Sequence, residues 1–76
     1  MKIEIYGTGC AKCKTLYENA QQALSELDAE GEVLKVEDIN QITSAGVMLT
    51  PAIAIDGQIK SAGKVLSMKE IKKLIA

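Results

Sequence analysis

Gly7-Thr8-Gly9-Cys10-Ala11-Lys12-Cys13 decides how the rest of this chain is read. It holds both cysteines of the sequence, spaced as a C-x-x-C pair. Ahead of it, Ile3-Glu4-Ile5-Tyr6 alternates with the period of a strand, Ile3 and Ile5 on one face and Glu4 and Tyr6 on the other. Behind it, Cys13, Leu16, Tyr17, Ala20, Ala23, Leu24 and Leu27 recur at helical spacing. The pair therefore stands where a strand gives way to a helix. A helix N-terminus carries unpaired N–H groups and a partial positive charge, and both stabilise a thiolate over a thiol. A C-x-x-C in that setting, with no secretion signal ahead of it, points to redox chemistry. A permanent staple is the weaker reading, because stabilisation grows with loop length and this loop is very short.

The bulk numbers narrow the field. Seventy-six residues are expected to form one domain, residues 1–76, that buries only about 60% of its unfolded surface. At 47% hydrophobic residues the composition is that of a globular chain. Tyr6 and Tyr17 are the only aromatics, so the core is built from Ile, Leu, Val, Ala and Met. Net charge is −1 and no basic block exceeds Lys72-Lys73, which argues against nucleic acid as a partner. No apolar run has the length of a membrane span and the start lacks a signal-peptide core, so a cytoplasmic protein away from membranes is expected. In that compartment a cysteine pair is more often catalytic or metal-binding than structural.

Taken in order, Lys2 to Tyr6 reads as a strand and Ala11 to about Ala29 as a helix, closed near Gly31 by a left-handed cap. Val33 to Val36 is a second strand. Asp38 or Asn40 then caps a short helix carrying Ile39, Ile42 and Ala45, closed by Gly46. After Thr50-Pro51, Ala52 to Ile55 form a third strand. Asp56-Gly57 is a two-residue hairpin signal that pairs Gln58 to Ala62 antiparallel with it. Ser67-x-x-Glu70 is a capping box for a last helix with Met68, Ile71, Leu74 and Ile75 on its apolar face. The order is β-α-β-α-β-β-α. Its first βαβ unit implies a right-handed parallel crossover, and the whole an α/β fold: a four-stranded mixed sheet with helices on both faces.

That order, with C-x-x-C after the first strand and Thr50-Pro51 before the third, resembles the thioredoxin fold in its minimal form. The G-x-G-C-x-x-C segment is similar to that of the small thioredoxin-like redox-active disulfide proteins of archaea and bacteria. The resemblance implies a thiol–disulfide oxidoreductase, an electron carrier that needs no cofactor beyond the Cys10–Cys13 disulfide itself. It makes Cys10 the nucleophile, Cys13 the resolving thiol and Pro51 a cis-proline facing the pair, with Thr50 offering backbone hydrogen bonds to an extended substrate. Glu4 falls six residues before Cys10, where thioredoxins carry a buried aspartate that exchanges protons with the second cysteine. Tyr6 falls four before it, where they often have an aromatic residue beside the site. The implied partners are disulfide-containing proteins and a reductase of the thioredoxin-reductase type, and the expected state is a monomer. The W-C-G-P-C segment of thioredoxins is replaced here by Gly9-Cys10-Ala11-Lys12-Cys13, and Gly63-Lys64-Val65 departs from the glutathione-binding segment of glutaredoxins.

Some residues carry readings of their own. Lys12 and Lys14 stand against the helix dipole, each at a cost on the order of a few tenths of a kcal/mol. For Lys12 this suggests a role in holding Cys10 as a thiolate and attracting acidic partners; Lys14 reads as a solvated charge. Met48 and Leu49 fit either an apolar rim at the site or the core, and Tyr17 reads as core. The competing function is a soft-metal carrier, since two thiolates suit Cu(I) and a dimer could present four to zinc. Against it, heavy-metal-associated domains follow βαββαβ and usually carry Met two residues before the first cysteine, where this chain has Thr8. A degenerate thioredoxin fold serving as a binding module or redox sensor is a third reading.

Overall fold

The computed structural model describes residues 1–9 and 11–75. Strand β1 (Lys2–Tyr6) leads through the glycine-flanked loop into α1 (Ala11–Glu26), and then come β2 (Glu32–Val36), α2 (Ile39–Ser44), β3 (Ala52–Ile55), β4 (Gln58–Ala62) and α3 (Met68–Ile75). The strands form one mixed sheet in the order β2-β1-β3-β4. β2 runs parallel to β1, with Val33 opposite Ile3 and Lys35 opposite Ile5. β3 runs antiparallel to β1 on its other side, and β4 closes the hairpin. The expected α/β order is thus realised element by element.

Alternation along the central strands divides the interior in two. Ile3, Ile5, Ile53 and Ile55 face α1 and α3, where they meet Leu16, Ala20, Ala23, Leu24 and Ile71. Tyr6, Ala52 and Ala54 face the other way, toward Ile42 of α2 and Val47. All four residues of β3 are buried, as expected of a strand covered on both faces. Each fully buried Ile or Leu contributes roughly 1.5–3 kcal/mol, so the larger, isoleucine-rich face under α1 and α3 carries most of the stability.

Several boundaries differ from the sequence expectation. Helix α1 ends at Glu26, three residues before Ala29. The left-handed residue is Asp28 (φ 50°), and the Ala29 N–H bonds the Leu24 carbonyl at 3.0 Å while the Asp28 N–H bonds that of Ser25 at 3.1 Å. This is a Schellman closure with Asp in the place usually taken by Gly. Gly31 instead makes room for the start of the chain. A Cβ there would lie 2.8 Å from the Met1 carbonyl oxygen, which accepts from the Glu32 N–H. Asp38 rather than Asn40 caps α2, its Oδ1 accepting from Asn40 N at 2.8 Å and Gln41 N at 3.3 Å. Of the three apolar residues expected on that helix only Ile42 is buried; Ile39 is 67% exposed, and Ala45, its C-cap, is also exposed. The hairpin turn has φ 49° at Asp56 and 85° at Gly57, the two positive values of a type I′ turn.

The capping box at α3 is complete. Glu70 N–H donates to Ser67 Oγ at 3.2 Å and Ser67 N–H donates to Glu70 Oε1 at 3.0 Å. The bond from the Ser67 backbone, followed by that from its side chain, holds the Glu70 carboxyl below its ordinary range. A carboxyl depressed on folding contributes stability above its unfolded pKa, near 4.5, and loses that contribution as pH falls through the lower folded value. Ser67→Ala is expected to cost about 1 kcal/mol at neutral pH. Thermal melts of Glu70→Gln should fall below wild type at neutral pH and converge with it in acid; a gap independent of pH would show that the carboxylate charge is not what caps α3.

Candidate functional site

Three segments converge at the C-terminal end of β1. The Gly7 N–H bonds the Val36 carbonyl at 3.0 Å and carries the parallel pairing one residue past β1. Gly9 (φ 86°) then turns the chain toward α1. Cys13 is the third residue of that helix and is only 6% exposed. Its Sγ occupies the space that a side chain at position 7 would need: a Cβ on Gly7 would overlap Sγ and stand 3.2 Å from the Cys13 Cβ. The same point lies 3.9 Å from the Thr50 Cβ, so the segment before β3 arrives at Cys13 as well. The Thr50–Pro51 peptide is cis, Pro51 is fully buried and its carbonyl accepts from the Gly63 N–H at 2.8 Å. Cys10, the expected nucleophile, lies outside the described residues.

Beside Cys13 opens a cavity of about 160 Å³, lined by Ile5, Gly7, Gly9, Cys13, Lys14, Lys35 and Glu37. Two charged residues of this wall, Lys35 and Glu37, carry no motif and escape a reading of the sequence. They follow Val33 at every second position, so they continue the α1 side of the sheet. The signal is the register that sets Lys35 opposite Ile5, which becomes visible only once the parallel pairing is fixed. The Lys35 Nζ stands 4.6 Å above the Tyr17 ring, a cation–π contact. Tyr17 is therefore a partly buried platform rather than a sealed core residue, and its hydroxyl accepts from Gln21 at 3.1 Å. Glu37 Oε2 lies 3.0 Å from where a Cβ on Gly9 would be.

Glu4 and Tyr6 take places other than those the resemblance implied. Both project to the α2 side of the sheet, away from Cys13. Glu4 is partly buried and Tyr6 is 7% exposed among Ile42, Val47, Ala52 and Ala54. Burial, then the charge of Glu4 and a hydrogen bond to it, push the Tyr6 phenol above its ordinary value. Strand alternation is the reason: residues 4 and 6 share one face and residue 7, against which Cys13 packs, belongs to the other. Lys12 and Lys14 are exposed in the first turn of α1, which has no acidic residue. Met48 and Leu49, 92% and 62% exposed, belong to the surface and not to the core.

The whole chain, residues 1–76, matches the family model described as a thioredoxin domain. A thioredoxin of Methanothermobacter thermautotrophicus is 46% identical over 76 residues, covering 100% of this chain and 99% of that protein. One of Methanocaldococcus jannaschii is 45% identical over 71 residues, covering 93% of this chain and 81% of that protein. The chain belongs to the thioredoxin family. Its activity class is accordingly thiol–disulfide oxidoreduction, and the fold is the minimal thioredoxin fold. A 9.0 kDa protein of Acidithiobacillus ferrooxidans described as uncharacterized is 36% identical over 63 residues, covering 79% of this chain and 73% of that protein. These relatives lend no support to the soft-metal carrier, and the order β-α-β-α-β-β-α of the described residues differs from the βαββαβ of that class. Among the described residues no helix is long and apolar enough to cross a membrane.

Proposed function

We propose that Cys10 and Cys13 are the dithiol/disulfide couple with which this thioredoxin-family protein reduces disulfides of partner proteins. The Cys10 thiolate attacks one sulfur of the substrate disulfide, forming a mixed disulfide and expelling the first substrate thiolate. Cys13, as thiolate, then attacks the Cys10 sulfur; the Cys10–Cys13 bond forms and the second substrate thiolate leaves. Two electrons pass from the pair to the substrate, and both departing thiolates take up protons. The observation that carries this reading is the seating of Cys13 in the first turn of α1, buried against Gly7 with Thr50 beside it. A thiol so shielded suits the resolving step, which leaves the attack on substrate to Cys10.

Thr50 and Pro51 serve as the wall along which an extended substrate lies, with Thr50 supplying backbone hydrogen bonds. Lys12, one residue into α1 past Ala11, favours the Cys10 thiolate and draws acidic partners. The chain acts as a monomeric cytoplasmic carrier without a cofactor, recharged by a thioredoxin-reductase-type donor. In the test, insulin is the disulfide substrate and dithiothreitol the electron source. Wild type should reduce insulin, Cys13→Ser should accumulate a mixed disulfide visible by mass spectrometry, and Cys10→Ser should do neither. Reduction at the wild-type rate by Cys10→Ser would sink the assignment.

A further inference from the structure

Resolution requires Cys13 to lose a proton inside the fold. A free cysteine titrates near about 8.5. At neutral pH a thiol only 6% exposed is therefore helped by an acceptor close by. The carboxylate that the resemblance offered, Glu4, lies with Tyr6 on the opposite side of the sheet. The carboxylate that lines the cavity with Cys13 is Glu37. We propose that Glu37 accepts, across this cavity, the proton that Cys13 gives up as it attacks the mixed disulfide. The assignment rests on the exchange chemistry proposed above and names the group that makes its second step fast.

The backbone holds Glu37 on both sides. The preceding Val36 carbonyl accepts from Gly7 N–H at 3.0 Å, and the following Asp38 caps α2. Its carboxylate passes over Gly9, with Oε2 only 3.0 Å from the missing Cβ, so glycine at position 9 clears the route into the cavity. A cavity of about 160 Å³ exceeds the roughly 30 Å³ share of one water, so a water chain can carry the proton from Sγ to Oε2. Among the described residues, the charged groups facing this space are Lys14 of α1, Lys35 of β2 and Glu37 itself. The two lysines favour the Cys13 thiolate, and Glu37 takes its proton. The step balances: the Cys13 S–H bond breaks, its proton goes to the Glu37 carboxylate, the sulfur electron pair forms the bond to Cys10, and the substrate thiolate leaves and is protonated in turn.

The reagent 5,5′-dithiobis(2-nitrobenzoate) separates the two steps in the intact protein. One coloured thiolate is released as Cys10 attacks and a second as Cys13 resolves, and Cys13→Ser marks the first alone. In Glu37→Gln the first release should keep its rate. The second should slow about tenfold or more at neutral pH, short of the roughly hundredfold that a base in direct contact supplies. The difference should vanish above the thiol range, about pH 8.5, where solvent removes the proton directly. Glu37→Asp should recover part of the rate, and Glu4→Gln should match wild type. A second release unchanged in Glu37→Gln, or slowed equally at every pH as distorted packing would slow it, overturns the proposal. Because the reagent reads Cys13 without any protein substrate, failure to reduce insulin would count against the exchange reading separately.

Discussion

Gly7→Ala is expected to leave a folded protein whose resolving step is crippled. The new methyl group would be built into the position of the Cys13 sulfur and 3.2 Å from its Cβ. Neither partner retreats freely. Gly7 is tied by its N–H to the Val36 carbonyl at 3.0 Å, and Cys13 belongs to a helix whose next buried residues, Leu16 and Ala20, are fully enclosed. Relief comes from rotating the cysteine side chain or lifting the first turn of α1, and either one moves Sγ out of its seat. Overpacking of this kind costs about 1–3 kcal/mol, which the chain can sustain. A displacement near 1 Å at a reacting atom costs on the order of a hundredfold in rate. Urea melts should therefore show a modest loss, while stopped-flow release of the second thiolate should slow by roughly a hundredfold. An alanine variant with wild-type midpoint and wild-type rate would show that Sγ does not rest against position 7.

The elements were legible because their signals are local. Period-two alternation in Lys2–Tyr6, the Asp56-Gly57 turn and the Ser67/Glu70 box each lie within a few residues of the element they specify. Boundaries set by distant contacts were not. Gly31 looked like a cap for α1, yet it is small because the Met1 carbonyl passes it, and the cap is Asp28. Ile39 and Leu74 fit helical stripes but stand 67% and 39% exposed, because α2 and α3 are short and each buries chiefly one apolar residue, Ile42 and Ile71.

The same division holds at the site. The C-x-x-C pair, Thr50 and Pro51 announce themselves by residue type and order. Glu4 was brought in by spacing to a family pattern, and spacing along a strand fixes the face: position 4 lies with Tyr6, across the sheet from Gly7 and Cys13. Glu37 carries no motif. It reaches the cavity only because β2 pairs in parallel with β1 and Gly7 extends that pairing, a relation between segments far apart in the chain.

Ile71→Ala is expected to have the largest effect on stability. Ile71 is fully buried, alone among the described residues of α3, and joins the cluster of Ile3, Leu16 and Ile53. Eight residues fall short of the roughly 12–15 that an isolated helix needs, so α3 exists by virtue of its docking. Its other ties are weaker. Met68 and Ile75 are partly buried, Asn19 Nδ2 donates to the Leu66 carbonyl at 2.9 Å, and Lys72 meets Glu26 at 3.5 Å on the surface, a pair worth about 1 kcal/mol at most. Truncating a buried Ile to Ala costs about 2–5 kcal/mol, against a total of roughly 4–11 kcal/mol for a chain of this length. At about 4–8 °C per kcal/mol, Tm should drop by about 8 °C or more, whereas Leu74→Ala should stay within a few degrees. A drop for Ile71→Ala no larger than that for Leu74→Ala would refute the docking argument. Hydrogen exchange then locates the damage. Because α3 shares its cluster with Leu16 and Ala20, opening should spread to α1 and so to the seat of Cys13, leaving β1 and β3 the last to exchange.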